Sequence, residues 1–349
     1  MSRGRKRGGF RILFIITALL AGVAAFLSWQ RYTNFAETRL TGIEAGETLV
    51  VEQGDSFPAV LRKLREIGVS EGHALEWQVL ARQLGAAGRI QVGEYALASS
   101  STPRALLVAM RDGKVISYRF TIVEGWNIRE LRAALARSVT LQKESETLDD
   151  AALMTLLGHA GQHPEGRFLP ETYQYSRGDS DLDVLGRAHS AMIKALDAIW
   201  EARASDIPIK SKEEALTLAS IVEKETGIAS ERAQIAGVFA RRLKIGMLLQ
   251  TDPTVIYGMG SAYNGNIRRQ DLQTDTPYNT YTRAGLPPTP IAMPGVDALN
   301  AATNPAAGDA LYFVAFGDGS GRHLFASTLQ QHNANVIAYV QRYRRQQAQ

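Results

Sequence analysis

The chain has 349 residues, enough for two or three domains, a formal net charge of +4 and no cysteine. The absence of cysteine excludes disulfides, thiol nucleophiles and cysteine-ligated metals. Part of the charge lies in a basic cluster at the N-terminus, which comprises Arg3, Arg5, Lys6, Arg7 and Arg11. The rest of the chain is close to neutral, so the composition gives no sign of nucleic-acid binding.

An uncharged apolar run of eighteen residues, 12–29, follows the basic cluster. As a helix it would span about 27 Å, just enough to cross the hydrocarbon core of a membrane. A cleaved signal peptide is the alternative, but the run is long, ends in bulky residues and lacks a small-x-small cleavage site. We therefore expect an uncleaved single-pass anchor. The positive-inside rule then places the N-terminus in the cytoplasm and the rest of the chain in the periplasm.

The next region is predicted to be a small α+β module. Residues 31–46 have no sustained period and are expected to form a connector. A strand at 48–52, a Gly-Asp-Ser turn and an amphipathic helix follow. The same order recurs over 118–135 with apolar residues at matching positions, which indicates an internal repeat. The first copy and its continuation resemble the LysM-like module, a glycan-binding fold of bacterial cell-wall proteins.

The second half mixes helices with irregular segments. A loop or hinge is predicted at 140–150, a surface loop at 165–173 and a long helix at 180–204. A helix capped by Ser230 and ending at Gly246 is also predicted. Residues 248–299 show little helical period, and their aromatic and short polar side chains suit sugar binding. Two strands, at 310–316 and 323–327, and a basic helix to residue 349 close the chain.

The best-defined element is a helix over 211–227, which carries two carboxylates near its end. Ser211 with Glu214 forms a capping box, and Gly227 is typical of a helix end. At about 100° per residue, Glu225 lies within about 60° of the apolar residues Leu218, Ile221 and Val222. Glu223 points about 160° away from Glu225. An apolar setting raises the pKa of a carboxyl group, as a general acid requires.

One alternative and two exclusions bear on this interpretation. Glu225 could instead form a structural ion pair with Arg241 or Arg242. A catalytic serine is not expected at 317–321, because that glycine-rich segment is better explained as a hairpin turn. A zinc site is not expected, because the histidines lack metal-binding spacing. They are His73, His159, His163, His189, His323 and His332. Of the catalytic chemistries considered, acid–base catalysis by a carboxyl group is the one that remains.

Several motifs together resemble the YceG-like endolytic murein transglycosylases (MltG family). They are Glu-Gly-Arg-Phe-Leu-Pro-Glu-Thr-Tyr at 165–173, Leu-Ala-Ser-Ile-Val-Glu-Lys-Glu-Thr at 218–226, Leu-Gln-Thr-Asp-Pro-Thr-Val-Ile-Tyr-Gly at 249–258, Tyr-Asn-Thr-Tyr at 278–281 and Gly-Leu-Pro-Pro-Thr-Pro-Ile at 285–291. The resemblance covers nearly the whole chain. One departure is Thr289, where the family more often has glycine, and it affects only the local loop shape.

The resemblance implies lytic cleavage of the β-1,4 bond between MurNAc and GlcNAc in nascent peptidoglycan, leaving 1,6-anhydroMurNAc ends. Glu225 matches the catalytic glutamate and would act as acid and then base, without a cofactor or metal. The residues implied to line the glycan cleft are Gln250, Asp252, Tyr278, Asn279, Thr280 and Tyr281. Asp252 and Glu171 are candidates for a second catalytic carboxylate. The rival functions are a non-catalytic peptidoglycan scaffold and a hydrolase with reducing-end products.

The resemblance also sets the expected organisation and partners. The fold class is α+β. The predicted segments are a cytoplasmic tail (1–11), a transmembrane anchor (12–30), a connector (31–46), a LysM-like module (47–125) and a catalytic transglycosylase domain of the YceG-like type (126–349). The expected partners are peptidoglycan glycan strands, the inner membrane and peptidoglycan synthases.

Overall fold

The computed structural model describes residues 6–98 and 100–347 and, at 6–9 and 347, only the backbone. Arg3 and Arg5 of the basic cluster and the last two residues of the predicted C-terminal helix lie outside the described residues. The chain divides into two compact units. Unit 1 runs to Tyr118 and includes Ser176–Gly178, and unit 2 comprises Arg119–Tyr175 and the chain from Asp179 onward. Both helices and strands are present, which confirms the α+β class.

Unit 1 combines a long N-terminal helix with a small α+β body. Its elements are α1 (Lys6–Glu37), β1 (Thr48–Val51), α2 (Phe57–Glu66), α3 (Ala74–Gln83), β2 (Gly93–Ala96) and α4 (Pro103–Asp112). β1 and β2 pair antiparallel, with Leu49 opposite Tyr95. The core includes Trp77 and Leu107, both fully buried. The predicted β1 and α2 are confirmed, whereas α3 was not predicted.

The N-terminal helix differs from the predicted anchor and connector. α1 contains a stretch, Phe10–Glu37, that is long and apolar enough to cross a membrane, and such a helix is equally compatible with a signal sequence. α1 continues to Glu37, so the first seven of residues 31–46 are helical rather than a connector. The physical reason is burial, because Phe35, Ala36 and Leu40 enter the core of unit 1.

Unit 2 is mainly helical. Its elements are β3 (Ser117–Thr121, which begins at the unit boundary), α5 (Ile128–Arg137), α6 (Asp150–Leu156), β4 (Thr172–Ser176), α7 (Asp181–Glu201), α8 (Lys212–Glu225), α9 (Ala229–Lys244), α10 (Asp252–Met259), a 3-10 turn (Gly260–Ala262), α11 (Arg269–Gln273), α12 (Val296–Thr303), β5 (Tyr312–Ala315), β6 (His323–Ala326) and α13 (Leu329–Gln347). β3 pairs with β4, and β5 pairs antiparallel with β6. The strand, turn and helix of the predicted repeat form in both copies.

α8 is the central helix of unit 2 and packs against α7, α9 and α12. Its residues from Ala215 to Val222 are all buried. The side chain of Ser211 accepts a hydrogen bond from the Glu214 N–H (3.2 Å), but the Glu214 carboxylate accepts from Lys210 and not from Ser211. The helix ends because Thr226 is extended, with φ −148° and ψ 133°. Gly227 is therefore not needed as a left-handed stop.

Three sequence predictions for unit 2 were wrong. α9 begins at Ala229 after Ile228, so Ser230 lies inside the helix and does not cap it. The stretch 248–299 contains α10 and α11, since Pro253 in the first turn of α10 needs no N–H partner. The segment 165–173 is not a surface loop, because Glu165, Phe168 and Leu169 are buried in unit 2.

A buried histidine in α7 predicts acid sensitivity. His189 is 1% exposed and stacks on His159, with ring centroids 3.8 Å apart. Burial lowers the pKa of His189 from 6.5 to about 4. Because the unfolded chain binds this proton more readily, unit 2 should lose about 3 kcal/mol of stability as the pH falls from 6.5 to about 4. In urea unfolding measured over this pH range, the His189→Phe variant should not lose this stability.

The stacked partner provides the control. His159→Gln should keep most of the acid sensitivity, because burial is a larger cause of the lowered pKa of His189 than the neighbouring ring. An unchanged acid dependence in His189→Phe would contradict the assignment.

Candidate active site

A cavity of about 480 Å³ in unit 2 is the candidate active site. It lies where the end of α8 meets the segment before α10, strand β5 and the start of α13. Its lining residues are Glu225, Arg242, Leu249, Gln250, Thr251, Asp252, Tyr281, Tyr312, Phe313, Val314, Leu329 and His332. The volume suits a small organic ligand or a short sugar segment, and the lining mixes aromatic rings with a few charged groups.

Glu225 is the last residue of α8 and reaches the cavity from the buried core of the helix. Burial raises the pKa of the Glu225 carboxyl, and the negative charge of Asp252 acts in the same direction. A hydrogen bond from Thr251 opposes this shift. Since the upward shift prevails, the carboxyl keeps its proton to higher pH than an ordinary glutamate, as a general acid requires.

The structural ion pair that the sequence left open is not formed. Among the described residues, no arginine or lysine lies within 4.0 Å of the Glu225 carboxylate. Arg241 instead donates to the carbonyls of Ala306 (3.0 Å) and Ala310 (2.7 Å). Arg242 also donates to backbone carbonyls. Glu225 is therefore available for chemistry in the cavity.

Glu223 has a different environment on the same helix. Its side chain is 5% exposed, accepts a hydrogen bond from the Gly295 N–H (2.9 Å) and lies 3.6 Å from the Arg232 guanidinium. It does not line the cavity. These contacts connect α8 to α9 and to the residue before α12, which is a structural role.

Thr251 holds the Glu225 carboxyl by a hydrogen bond. Its hydroxyl donates to Glu225 Oε1. The backbone N–H of Thr251 donates to the hydroxyl oxygen of Thr280 (3.1 Å), and the preceding Gln250 N–H donates to the Thr280 carbonyl (3.1 Å). Gln250 has φ +48°, the only left-handed non-glycine residue in the part of the chain that the structure describes. Such strain persists only where the surroundings fix it, and here Thr280 does so.

A test of this contact is Thr251→Val. Because the hydroxyl lowers the pKa of Glu225, its loss should raise that pKa further. The activity of a general acid is lost as the pH rises through its pKa, so the alkaline limb of the kcat/KM profile should move to higher pH. Thr282→Val, which changes a hydroxyl bound to Asp275, is the control. An unmoved limb, or one moved to lower pH, would contradict the contact.

Arg242 fixes two segments that border the cavity. Its guanidinium donates to the carbonyls of Leu311 (2.7 Å) and Leu249 (2.6 Å) and lies 5.4 Å from the ring centre of Tyr312. Leu249 directly precedes the strained Gln250, and Leu311 directly precedes β5. Burial lowers the pKa of Arg242, but a guanidinium remains charged at any physiological pH. Arg242 thus positions the two segments that border the cavity and places a positive charge near Glu225.

Aromatic rings line the cavity beside Arg242. The rings of Tyr312 and His332 stack with centroids 5.1 Å apart, and Phe313 lines the same cavity. Burial lowers the pKa of His332, so its ring is neutral at neutral pH. Its Nδ1 is buried and has no hydrogen-bond partner among the described residues. Flat apolar faces beside polar groups suit the faces and hydroxyls of a pyranose ring.

Three of the six predicted cleft residues line the cavity. They are Gln250, Asp252 and Tyr281, and the Tyr281 hydroxyl donates to Asp252 Oδ1 (2.5 Å). Asp252 is therefore the second carboxylate of the cavity. Glu171, the other carboxylate considered, is exposed and does not line it.

The other three predicted residues shape the loop instead of lining the cavity. Tyr278 packs edge-on against Tyr257, and its hydroxyl is 2.8 Å from that of Thr289. Asn279 is 1% exposed and uses its amide to donate to the carbonyls of Asp271, Leu272 and Thr274. Thr280 is 2% exposed and supports Thr251. Their polar groups are satisfied within the protein, so they act on the cavity only through the residues they hold.

Sequence reasoning missed a second buried acid. Glu165 is fully buried, both of its oxygens lie 3.1 Å from the Ile128 N–H, and the Tyr257 hydroxyl also donates to it. It thereby connects the start of α5 to α10, whose first residue is Asp252. Burial raises its pKa from 4.5 to about 7. Glu165 belongs to the 165–173 motif, but the turn-rich composition of that motif predicts a surface loop and not a buried acid.

Glu165 should make unit 2 less stable at alkaline pH. The folded state holds this proton more tightly than the unfolded chain, so about 3 kcal/mol of stability present below pH 4.5 should be lost as the pH rises through about 7. Urea unfolding of Glu165→Gln should lack this loss. Glu171→Gln, an exposed acid of the same segment, is the control and should retain it. Equal pH dependence in both variants would contradict the assignment.

The fold and cavity can now be compared with known proteins. The profile of the YceG-like family matches residues 49–338, so the chain belongs to this family. A Bacillus subtilis protein named endolytic murein transglycosylase is 31% identical over 309 residues, which cover 83% of this chain and 84% of that protein. A Streptococcus pneumoniae protein of the same name is 26% identical, over 95% of this chain and 65% of that protein.

A solved structure agrees with this assignment. The crystal structure of a YceG-like protein from Listeria monocytogenes shares 28% sequence identity and a TM-score of 0.53 with this chain. The match covers 83% of this chain and 99% of the Listeria chain. The YceG-like resemblance inferred from the motifs is confirmed. The LysM-like identity of 47–125 and the proposed domain boundaries stay predictions.

Proposed function

We propose that this protein is an endolytic lytic transglycosylase that cleaves the β-1,4 bond between MurNAc and GlcNAc within peptidoglycan strands. The relatives named endolytic murein transglycosylase support the reaction class. The observation that carries the residue assignment is the position of Glu225, whose carboxyl has a raised pKa and lines an aromatic cavity. No other carboxyl group of that cavity extends from a buried helix.

In the proposed mechanism one carboxyl group serves both steps. Protonated Glu225 gives its proton to the glycosidic oxygen, the bond from that oxygen to C1 of MurNAc breaks, and the GlcNAc hydroxyl leaves. The Glu225 carboxylate then takes the proton from the C6 hydroxyl of the same MurNAc, whose oxygen bonds to C1 as a 1,6-anhydro ring. Because the substrate supplies its own nucleophile, no water is consumed and no second catalytic carboxylate is needed.

The surrounding residues would orient the two steps. The Thr251 hydroxyl holds one Glu225 oxygen, so the proton is presented from the other. A positive charge develops at C1 as the bond breaks, and the carboxylates of Glu225 and Asp252, which both line the cavity, would stabilise it. Tyr281 fixes Asp252, and Tyr312 and Phe313 offer faces on which sugar rings can stack.

The proposed location follows from α1. We infer that α1 is an uncleaved inner-membrane anchor, with the N-terminus in the cytoplasm and both units in the periplasm. The anchor would confine cleavage to newly made strands near the membrane, where it would set strand length beside the peptidoglycan synthases. The LysM-like module would contribute glycan binding. The long apolar helix and the preceding basic residues support this arrangement.

Mass analysis of digests tests the reaction. The full-length protein in detergent, given uncrosslinked glycan strands, should release internal fragments with 1,6-anhydroMurNAc ends. Reducing ends, heavier by one water, would indicate a hydrolase. Binding without any change in strand length would indicate a scaffold. Either result would overturn the proposed function.

A further inference from the structure

The short helix α3 of unit 1 carries an exposed apolar pair. Leu75 is 70% exposed and Val79 is 43% exposed. They are four residues apart, so they lie on one face of the helix. The opposite face, with Trp77, Leu80 and Ala81, is buried in the core of unit 1. The helix is therefore apolar on both sides, although only one side is covered by protein.

Two side-chain contacts join α3 to α1. Arg31 Nε of α1 lies 3.1 Å from Glu76 Oε1 of α3, and the Tyr32 hydroxyl donates to the Gln83 side chain. Glu76 and Gln83 are about 10 Å apart along α3, whereas Arg31 and Tyr32 are consecutive. Two contacts about 10 Å apart on α3 thus reach adjacent residues of α1, just beyond its apolar run, which favours a position of α3 across α1 rather than alongside it. If α1 crosses a membrane, α3 lies roughly parallel to the membrane surface.

The helical wheel decides which face of α3 points to the membrane. Relative to Leu75, Trp77 points about 200° away, and the two α1-contacting residues point about 80–100° away. The Trp77 ring packs edge-on against Phe35, with centroids 5.4 Å apart. Phe35 lies one turn beyond Arg31, on the side away from the apolar run. The buried face of α3 thus points away from the membrane, and Leu75 points toward it.

A cavity at the same junction agrees with this orientation. It has a volume of about 450 Å³ and lies between α1 and the segment that leads into α3. Leu27 and Gln30 of α1 line it together with Glu71, Gly72 and Glu76. The α1 residues that line the cavity run from Leu27, which belongs to the apolar run, to Phe35, so the segment that leads into α3 lies beside the part of α1 that continues from the end of that run.

The side chains around the apolar pair have the chemistry of a membrane interface. Trp29 and Tyr32 place their rings 6.2 Å apart at the end of the apolar run, where aromatic belts occur. The Arg31 side chain is 64% exposed, and the exposed Arg82 lies within about 20° of Leu75 on the helical wheel. Apolar groups flanked by arginines are typical of helices that rest on anionic lipid surfaces.

We propose that α3 is an interfacial helix whose Leu75–Val79 face rests on the lipid surface of the membrane that α1 crosses. The proposal rests on the inferred anchor role of α1. Two contacts, one helix across the membrane and one along it, fix the height and tilt of unit 1 above the bilayer. A single spanning helix would leave unit 1 free to tilt.

The absence of cysteine makes a direct test possible, because one introduced cysteine gives a unique labelling site. The full-length chain would be reconstituted in nanodiscs of phosphatidylethanolamine and phosphatidylglycerol, with an environment-sensitive fluorophore at one site. The sites are L75C and V79C on the proposed surface, L20C in the apolar run and R39C, exposed beyond the end of α1. Quenching by brominated lipids is then measured at each site.

Labels at 75 and 79 should lose fluorescence to brominated lipids as the label at 20 does, whereas the label at 39 should be unaffected. Quenching at 20 alone would overturn the interfacial role of α3 and leave the anchor intact. Absence of quenching at 20 would overturn the anchor and, with it, this proposal. Labels at 75 and 79 that resist both brominated lipids and a water-soluble thiol-directed quencher would indicate a protein partner and would overturn lipid contact.

Discussion

Glu225→Gln should abolish the release of anhydro-ended fragments while the protein remains folded. The amide has the same shape as the carboxyl group and can still accept the Thr251 hydrogen bond, but it can neither give nor take the catalytic proton. General acid–base groups typically contribute about 10²–10⁴-fold to the rate. Glu225 is proposed for both steps, so we expect the loss to lie at the upper end of that range. Fragment release measured by mass analysis gives the loss directly.

Glu223→Gln is the matched control, because it removes a carboxylate two residues away on the same helix. Its amide oxygen can still accept from the Gly295 N–H, but the attraction to Arg232 is lost. We expect a lower stability and a rate within a few-fold of the original protein. Anhydro-ended fragments that persist in Glu225→Gln, or disappear only in Glu223→Gln, would contradict the assignment.

Arg242→Lys should reduce cleavage by about 10²-fold, because small displacements of catalytic groups have effects of that size. A lysine keeps the positive charge near Glu225, but its single ammonium group cannot reach the carbonyls of both Leu249 and Leu311. One buried carbonyl then lacks a partner, at a cost of about 1–3 kcal/mol. The strained Gln250, next to Leu249, would relax and carry Thr251 away from Glu225.

Arg241→Lys is the control for this second prediction. Arg241 also donates to two backbone carbonyls, those of Ala306 and Ala310, but it does not line the cavity of Glu225. Its replacement should lower stability, measured by urea unfolding, without a comparable change in the cleavage rate. Equal rate losses in the two variants would indicate that the Arg242 effect is general destabilisation.

The sequence was sufficient to select Glu225 as the proposed acid because helical geometry is local. Ser211 marks the start of α8, and the direction of every side chain then follows from the rotation of about 100° per residue. This geometry places Glu225 beside the apolar residues of the helix. The same local pattern separates Glu225 from Glu223. The family motif then supplied the substrate, which no single helix can specify.

The supporting residues could not be found in this way, because their roles depend on contacts between distant segments. Thr251 meets Glu225 across 26 residues of sequence, and His332 enters the cavity from α13. Asn279 and Thr280 have the same polar character as cleft residues, yet their hydrogen bonds are made inside the loop. Composition cannot distinguish a side chain that binds sugar from one that holds the loop.

Two of the helices that the sequence did not predict, α10 and α3, were missed for separate physical reasons. α10 begins with Asp252 and Pro253 and contains Gly258, which are residues that usually mark turns, and only Thr254 and Val255 are buried. α3 has apolar residues on both faces, so it lacks the single apolar stripe by which a surface helix is recognised. For α3 the unexplained apolar face is itself informative, because it marks the proposed lipid contact.

The titration of Glu225 in the folded protein tests the central claim most directly. Infrared difference spectra of the original protein against Glu225→Gln, recorded across pH with ¹³C-labelled glutamate, isolate this one carboxyl group. We predict that burial raises the pKa of Glu225 above the ordinary value of 4.5, so that it stays protonated to higher pH than a free glutamate. A Glu225 that titrates as a free glutamate does would contradict the account of its acidity, even if the residue proved essential for cleavage.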